Sequence, residues 1–169
     1  MLTADRLRQI LEYDPGTGIF RWKFDPAKKP NINSRDIRRA AAGSLRGSGR
    51  RVIKIAGRPY YCSRLAWLYI HGEWPDPEAD HENGIKNDDR INNLRVSTRS
   101  QNQHNVGITN RNTSGRKGVH WNKRYQKWQA EIVVAGRKQY LGRYDDLDLA
   151  AEAYRTAARL HHGDFARTE

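Results

Sequence analysis

The sequence predicts a modular α+β protein. Short alternating stretches typical of strands occur beside helical stretches that begin at a capping residue and end at glycine. Apolar residues make up 37% of the 169 positions and charged residues 30%, which favours several small cores over one large core. Composition divides the chain into residues 1–105, a linker over 106–113 rich in Thr and Asn, and residues 114–169.

Local signals define the elements at the start of the chain. Thr3 is expected to cap a short first helix, and residues 14–18 have the composition of a turn. Residues 19–24 alternate as a strand does. Residues 25–50 lack periodicity and are rich in Lys and Arg, so we expect a basic loop there.

A hairpin and a helix are predicted next. Residues 51–55 and 59–62 read as two strands joined by a turn at Ala56 and Gly57. Ser63 is expected to cap the following helix, which Gly72 ends.

The last segment has the clearest pattern. Alternating stretches at 127–134 and 138–144 predict two strands of a small three-stranded antiparallel sheet. Asp146 is expected to cap a helix that runs to about residue 161 and packs on this sheet. The apolar stripe predicted for that helix consists of Ala150, Ala153, Tyr154, Ala157 and Leu160.

Charge restricts the class of partner. The 31 Lys and Arg residues exceed the 19 acidic residues, which gives a net charge of +12 and a pI near 10.1. Nucleic acid is the expected partner, and an anionic membrane is the weaker alternative because the chain has no apolar run of membrane-spanning length. Cys62 is the single cysteine, which excludes an internal disulfide and any zinc site with two thiolates. We expect a soluble, cytoplasmic protein without a small-molecule cofactor.

A polar constellation lies in the middle of the chain. A strand over 78–81, a polar loop over 82–92, a second strand over 94–97 and a helix are expected to bring Asp80 and Asn102 together. Carboxylate and amide oxygens suit Mg²⁺ or Mn²⁺. The neighbouring His81 supplies a possible general base on the opposite side of the strand. His104 stays open as an alternative ligand. Metal-dependent cleavage of nucleic acid is the first hypothesis.

The same constellation closely resembles the HNH endonucleases of the phage homing type. The resemblance rests on the Asp-His pair at 80–81 with a following Asn-Gly, on the run Asp-Arg-Ile-Asn-Asn-Leu-Arg at 89–95, on Asn102, and on residues 61–68. It implies a β-β-α-metal core, a phage origin, and cleavage of double-stranded DNA that leaves 5′ phosphate and 3′ hydroxyl ends. Asp80 and Asn102 would hold the metal, His81 would be the general base, and Asn93 would fix the loop and orient the imidazole.

Residues 114–169 resemble a different family, the APETALA2-type DNA-binding domains, in which a three-stranded sheet lies in the major groove. The resemblance rests on the stretches 114–119, 128–132, 140–142 and 150–154. It implies a groove face formed by Lys117, His120, Asn122, Glu131, Lys138 and Tyr140. Among the basic residues of the first segment, we expect phosphate contacts from Arg38, Arg39, Arg50 and Arg51.

Three other classes of function remain open. A catalytically inactive, sequence-specific regulator would bind DNA without cutting it, although the intact Asp80, His81, Asn93 and Asn102 argue against this. A structure-selective nuclease would not need a sequence-reading sheet. An RNA-binding protein would show more stacking aromatic side chains. The sequence leaves the choice between monomer and homodimer open.

Overall fold

The protein divides into two compact units, Met1–Arg99 and Ser100–Glu169. A computed structural model describes residues 1–23, 40–109 and 111–168. Helices occur beside several small antiparallel sheets, which confirms the α+β class. In these described ranges, no helix is long and apolar enough to cross a membrane.

The first unit contains three small antiparallel sheets. The sheets are β1–β2, β3–β4–β5 and β6–β7. In chain order the elements are α1 (Ala4–Ile10), β1 (Leu11–Asp14), β2 (Ile19–Trp22), β3 (Ser44–Leu45), β4 (Arg51–Ile55), β5 (Arg58–Tyr61), α2 (Cys62–His71), β6 (Glu78–His81), a 3-10 turn (Ile91–Asn93) and β7 (Leu94–Ser97).

Capping chemistry explains where the first helices begin and end. The Thr3 hydroxyl accepts a hydrogen bond from the Arg6 amide at 3.3 Å, which confirms the predicted cap of α1. Gly72 ends α2 in the left-handed conformation, as predicted. The prediction for Ser63 is wrong: α2 begins at Cys62, and Ser63 is buried inside the helix. The reason is that β5 pairs with β4 up to Tyr61 and runs directly into the helix, which leaves no loop residue to act as a cap.

Two strands of this unit have no signal in the sequence. β1 follows α1 without an intervening turn, and β3 is only two residues long, so neither shows a period of its own. The predicted strand over 19–24 is present as β2 and ends at Trp22. Residues 24–39, which include most of the predicted basic loop, lie outside the described residues.

Aromatic and aliphatic side chains from α1, α2 and the strands form the core of the first unit. The rings of Tyr13 and Phe20, on β1 and β2, pack with centroids 4.6 Å apart. Tyr69 of α2 closes this cluster against both rings. The buried apolar residues are Ala4, Leu7, Leu11, Tyr13, Phe20, Ala42, Ile53, Ile55, Cys62, Leu65, Ala66, Leu68 and Leu94.

The second unit is a sheet covered on one face by a helix. Its sheet is antiparallel, with strand order β10–β9–β8. The elements are α3 (Arg99–His104), which begins at the unit boundary, then β8 (Val119–Asn122), β9 (Lys127–Val134), β10 (Arg137–Tyr144) and α4 (Leu147–His162). The buried apolar residues are Val119, Ala130, Ile132, Ala150, Ala151, Tyr154, Ala157 and Ala158.

Helix α4 confirms its predicted cap and corrects its predicted stripe. The Asp146 carboxylate accepts from the Asp148 amide at 2.8 Å and the Leu149 amide at 2.9 Å. Leu160, expected in the apolar stripe, is 77% exposed. Ala158, one helical turn after Tyr154, is buried on the same face of the helix, and Leu160 does not lie on this face.

Candidate active site

Asp80 and His81 occupy the end of β6, where that strand pairs with β7. Asp80 lies opposite Arg95 in the register, and His81 lies opposite Leu94. Asp80 is 4% exposed and His81 is 3% exposed, so both ionisable side chains are buried. Buried ionisable groups require partners within the protein.

Arg95 balances the charge of Asp80. Its Nε lies 3.2 Å from Oδ2 of the Asp80 carboxylate, and both side chains are largely buried. This contact gives the buried carboxylate a hydrogen-bonded partner within the protein. The carboxylate of Asp80 is therefore held in place next to His81.

Asp89 is the partner of His81. His81 Nε2 and Asp89 Oδ1 are 3.0 Å apart, and each side chain is 3% exposed. The second carboxylate oxygen of Asp89, Oδ2, is buried and has no hydrogen-bond partner among the described residues. The contact joins the end of β6 to the far end of the loop over 82–92.

Asn93 fixes both ends of this loop. Its Oδ1 accepts from the Asn83 amide at 3.0 Å, and its Nδ2 donates to the Asp88 carbonyl at 2.7 Å. Its own carbonyl accepts from the Glu82 amide at 2.9 Å. One buried amide side chain therefore holds the start and the end of the loop together.

A second set of contacts stabilises the exposed side of the loop. The Arg90 guanidinium donates two hydrogen bonds to the Asp88 carboxylate, at 2.7 and 2.6 Å. These bonds hold the pKa of Asp88 down at about 2. Asn83 Nδ2 also donates to the Asp88 carboxylate, at 2.7 Å. The Asp88 carboxylate therefore accepts hydrogen bonds from two other residues of the loop.

The two amide residues of the predicted site lie in different units. Asn93 is in the first unit with Asp80 and His81, whereas Asn102 lies in α3 within the second unit. Among the described residues, no group of three or more His, Cys, Asp or Glu side chains forms a metal site. The predicted ligand pair, by contrast, consists of one carboxylate and one amide.

His104 packs on another imidazole. Its ring stacks on that of His162 with centroids 3.6 Å apart and planes 8° apart. Burial, together with the charge of the neighbouring His162, lowers the pKa of His104. His162 Nε2 lies 3.0 Å from the carbonyl oxygen of Val133, so this pair belongs to the contacts within the second unit.

The sheet of the second unit has a polar face opposite α4. Glu131 lies opposite Tyr140 in the register, and Lys138 Nζ is 3.8 Å from Glu131 Oε2. Gln129, which the sequence did not single out, donates to Glu131 at 2.6 Å and accepts from Asn122 at 2.7 Å. The face therefore carries a continuous polar network. His120, opposite Gln129, is an exposed residue of the same face.

Arg143 is a second residue of this face that sequence reasoning missed. Its guanidinium lies 3.6 Å from the centroid of the Tyr125 ring and 5.3 Å from that of Tyr140. Its Nε donates to Gln129 Oε1 at 3.0 Å. A bulge between Tyr140 and Gly142 changes the register of β10, so simple alternation does not predict where Arg143 points.

Lys117 differs from the other basic residues predicted to contact DNA. Its ammonium group donates to the carbonyls of His104 at 2.7 Å and Val106 at 2.6 Å. Burial, followed by the charge of Arg167, lowers the pKa of Lys117 to about 8. In this structure the Lys117 ammonium group is hydrogen-bonded to main-chain carbonyls of the second unit.

The basic residues predicted in the first segment are described in part. Arg51 donates to the Gly43 carbonyl at 3.3 Å, and the Arg50 guanidinium lies 5.5 Å from the centroid of the Tyr61 ring. Both belong to the region of the β3–β4–β5 sheet. Arg38 and Arg39 lie outside the described residues.

Two comparisons with known proteins show which family the chain belongs to. The HNH endonuclease family model matches residues 60–104. Protein 3.8 of Escherichia phage T7 is 35% identical over 88 residues, which cover 52% of this chain and 72% of that protein. The chain belongs to the family of this phage protein and contains an HNH endonuclease domain. No solved structure matches the chain significantly.

The HNH domain contains the whole central constellation. Asp80, His81, Asn93 and Asn102 all fall within its 60–104 range, and so does Asp89. Sequence reasoning quoted Asp89 as part of a motif and gave it no role. Its position at the start of that motif was the available signal, but the contact with His81 depends on how the loop folds back.

Proposed function

We propose that this protein is a metal-dependent, homing-type DNA endonuclease that hydrolyses a phosphodiester bond at a specific duplex site. One observation carries the proposal. Within the HNH domain, Asp80 and His81 lie side by side in a buried site whose loop is closed by Asn93. In this proposal β6, β7 and α3 form the β-β-α-metal core.

His81 acts as the general base. An imidazole suits proton abstraction near neutral pH, and proton transfer by a positioned base contributes about 10²–10⁴ to a rate. His81 takes a proton from the attacking water. Asn93 supports this role through the main chain: it bonds to the Glu82 amide, next in sequence to His81. The loop therefore keeps the imidazole in one orientation.

The donor set fits a divalent cation. Asp80 offers a buried carboxylate and Asn102 an amide oxygen, the hard oxygen donors that Mg²⁺ and Mn²⁺ accept. The assignment of Asn102 rests on the family resemblance. When bound, the cation stabilises negative charge on the scissile phosphate and on the leaving 3′ oxygen. Besides the cation, the Arg95 guanidinium supplies positive charge next to Asp80.

Residues 114–169 of the second unit are the DNA-reading part in this proposal, as an APETALA2-type domain. Its support is the polar sheet face opposite α4, since a three-stranded sheet fits the major groove. Glu131, Lys138, Tyr140, His120 and Asn122 lie on the three strands that form this face. Arg50 and Arg51 of the first unit contact phosphates.

Incubation of the full chain with supercoiled and linear duplex DNA tests the proposal. We expect cleavage with Mg²⁺ or Mn²⁺ and none with EDTA. A DNA ligase should reseal the products without prior phosphorylation, because they carry 5′ phosphate and 3′ hydroxyl ends. Asp80→Ala, purified identically, controls for contaminating nuclease. Binding of a defined site by the wild type without cleavage under any metal would instead support an inactive regulator.

The form of the product reports the oligomeric state. The chain contains one copy of the Asp-His motif, so a monomer has one active site and should nick one strand. A homodimer with two sites should linearise a supercoiled plasmid. Sedimentation of the protein on its DNA, beside the ratio of nicked to linear plasmid, decides between the two states.

A further inference from the structure

His81 contacts the Asp89 carboxylate, and the main chain of Asp89 contacts a hairpin that lies outside the HNH match. We infer that Asp89 is a positioning residue for His81, and that the hairpin β1–β2 holds Asp89 in place. The expected change in cleavage rate rests on the proposed function. The expected tautomer of the His81 imidazole does not, because it can be measured in the free protein.

The carboxylate selects one tautomer of the imidazole. An ionised carboxylate can only accept hydrogen bonds, so His81 Nε2 carries the hydrogen in the 3.0 Å contact with Asp89 Oδ1. In the neutral imidazole the lone pair then lies on Nδ1, through which His81 acts as a base. Burial of both side chains strengthens the contact, because little water competes for either group.

The hairpin holds the main chain of Asp89 through several contacts. The Tyr13 hydroxyl, on β1, donates to the Asp89 carbonyl at 2.7 Å in a buried hydrogen bond. In the turn between the strands, the Pro15 carbonyl accepts from the Ile91 amide at 3.3 Å. These two contacts, one from β1 and one from the turn, hold the main chain on either side of Arg90.

Gly18 shows how closely the turn approaches this segment. A Cβ atom at position 18 would lie 2.5 Å from the Arg90 nitrogen and 2.5 Å from the Asp89 carbonyl carbon. Its φ of +71° is also in the left-handed region that favours glycine. Both requirements indicate that the turn packs directly on the main chain that carries the Asp89 carboxylate.

The hairpin is itself anchored in the core of the first unit. Tyr13 packs on Phe20 and Tyr69, and burial, with the neighbouring Asp89 charge, raises the pKa of Tyr13 so that its hydroxyl stays a donor. The hairpin lies before residue 60, outside the range that matches the HNH family model. A part of the chain outside the motif thus determines the geometry of the base.

Three variants of the full-length protein test the contacts from Tyr13 to Asp89 and from Asp89 to His81. Asp89→Asn keeps the size of the side chain but can donate to the ring. Tyr13→Phe removes only the hydroxyl that reaches the Asp89 carbonyl. Tyr69→Phe is the matched control, since it removes a hydroxyl from the same aromatic cluster. The readouts are the ¹⁵N chemical shifts of the His81 ring, the single-turnover cleavage rate at saturating DNA, and the Kd for DNA.

We expect the wild-type His81 to be the Nε2–H tautomer and Asp89→Asn to give a mixture of tautomers. The cleavage rate should fall about 10²-fold for Asp89→Asn, the lower end of a general-base contribution. Tyr13→Phe should lower it by about tenfold or less, the effect of one hydrogen bond. Tyr69→Phe and all Kd values should stay at the wild-type level.

Two results would overturn the inference. One is a wild-type His81 in the Nδ1–H tautomer. The other is an Asp89→Asn variant with unchanged tautomer and unchanged rate. If Asp89→Asn does not fold, Tyr13→Phe decides, because a rate equal to that of Tyr69→Phe excludes the hairpin contribution. If the wild type cleaves no DNA, the proposed function fails, and the tautomer alone then decides the positioning role.

Discussion

The loop of the HNH domain and the sheet face of the second unit use polar side chains in opposite ways. At the end of β6, where this loop begins, Asp80 and His81 are almost fully buried, and each contacts a charged or polar partner. On the sheet face, the Lys138 side chain is 79% exposed, and Tyr140 is also exposed. Buried contacts fix geometry, which chemistry requires, whereas exposed charge remains available to phosphates.

Loss of a proposed metal ligand should have the largest effect, and it distinguishes the two regions most clearly. We expect Asp80→Ala and Asn102→Ala each to abolish cleavage while DNA binding persists, because affinity comes mainly from basic residues elsewhere. Plasmid cleavage and gel-shift titrations measure both properties. Asn87→Ala, which removes an exposed amide from the loop, is the control. Wild-type turnover by either ligand variant would disprove the assignment.

Removal of the proposed base should have the next largest effect. His81→Ala should slow cleavage by about 10²–10⁴ without weakening metal binding, since the proposed ligands remain. Single-turnover rates and calorimetric metal titrations test the two halves of this statement, with exposed His161→Ala as the control. A loss of metal affinity would make His81 a ligand and remove it from the role of base.

A pair of glycines tests whether the second unit is a separate folding unit. Gly115 and Gly118 both have φ of +70°, but a Cβ at Gly118 would lie 2.1 Å from Cδ2 of Tyr154, and at Gly115 it would meet open space. Gly115→Ala should lower the free energy of unfolding by about 1–2 kcal/mol, the strain of a left-handed residue. Gly118→Ala should lower it by a further ~1–3 kcal/mol, the cost of overpacking.

Hydrogen exchange of the full chain measures where this destabilisation acts. We expect faster exchange in the strands and helix of the second unit and unchanged exchange in the first unit. Equal loss of protection in both units would show that they unfold together.

The sheet face should show the smallest effects. Lys138→Ala should weaken binding to all DNA sequences. It should also reduce the slope of log Kd against log salt concentration by about 1, the contribution of one phosphate contact. Glu131→Ala should relax preference at one base pair, by about 1–3 kcal/mol, because an acid among phosphates is favourable only where it accepts from a cytosine amino group. Since Glu131 also pairs with Lys138, its removal should tighten non-specific binding.

Site selection from a random duplex library, with footprinting, measures these preferences. A protein truncated near Asn112 should lose the site preference of the full chain. If it kept the same footprint, sequence reading would lie in the first segment.

Elements with local causes were predictable from the sequence. The caps at Thr3 and Asp146 and the stop at Gly72 each depend on a few neighbouring residues, and the structure confirms them. The strands at 78–81 and 94–97 were predicted with correct bounds, because the residues between them have turn composition.

Contacts between distant residues were not predictable. Tyr13 and Asp89 lie far apart in sequence and meet only when the hairpin packs on the loop. The pairing of Arg95 with Asp80 depends on the register of β6 and β7, which no sequence period specifies. Arg143 was missed because the bulge in β10 shifts the alternation.

In the proposed function, cutting depends on the HNH domain, and site reading depends on the sheet face of the second unit. A set of four full-length proteins tests this division: wild type, His81→Ala, Lys138→Ala and the double variant. For each, the single-turnover rate at saturating DNA and the Kd are measured under one salt and metal condition. We expect His81→Ala to lower only the rate and Lys138→Ala to raise only the Kd, and we expect the double variant to show both changes independently. A rate loss in Lys138→Ala at saturation, or a Kd change in His81→Ala, would contradict this division.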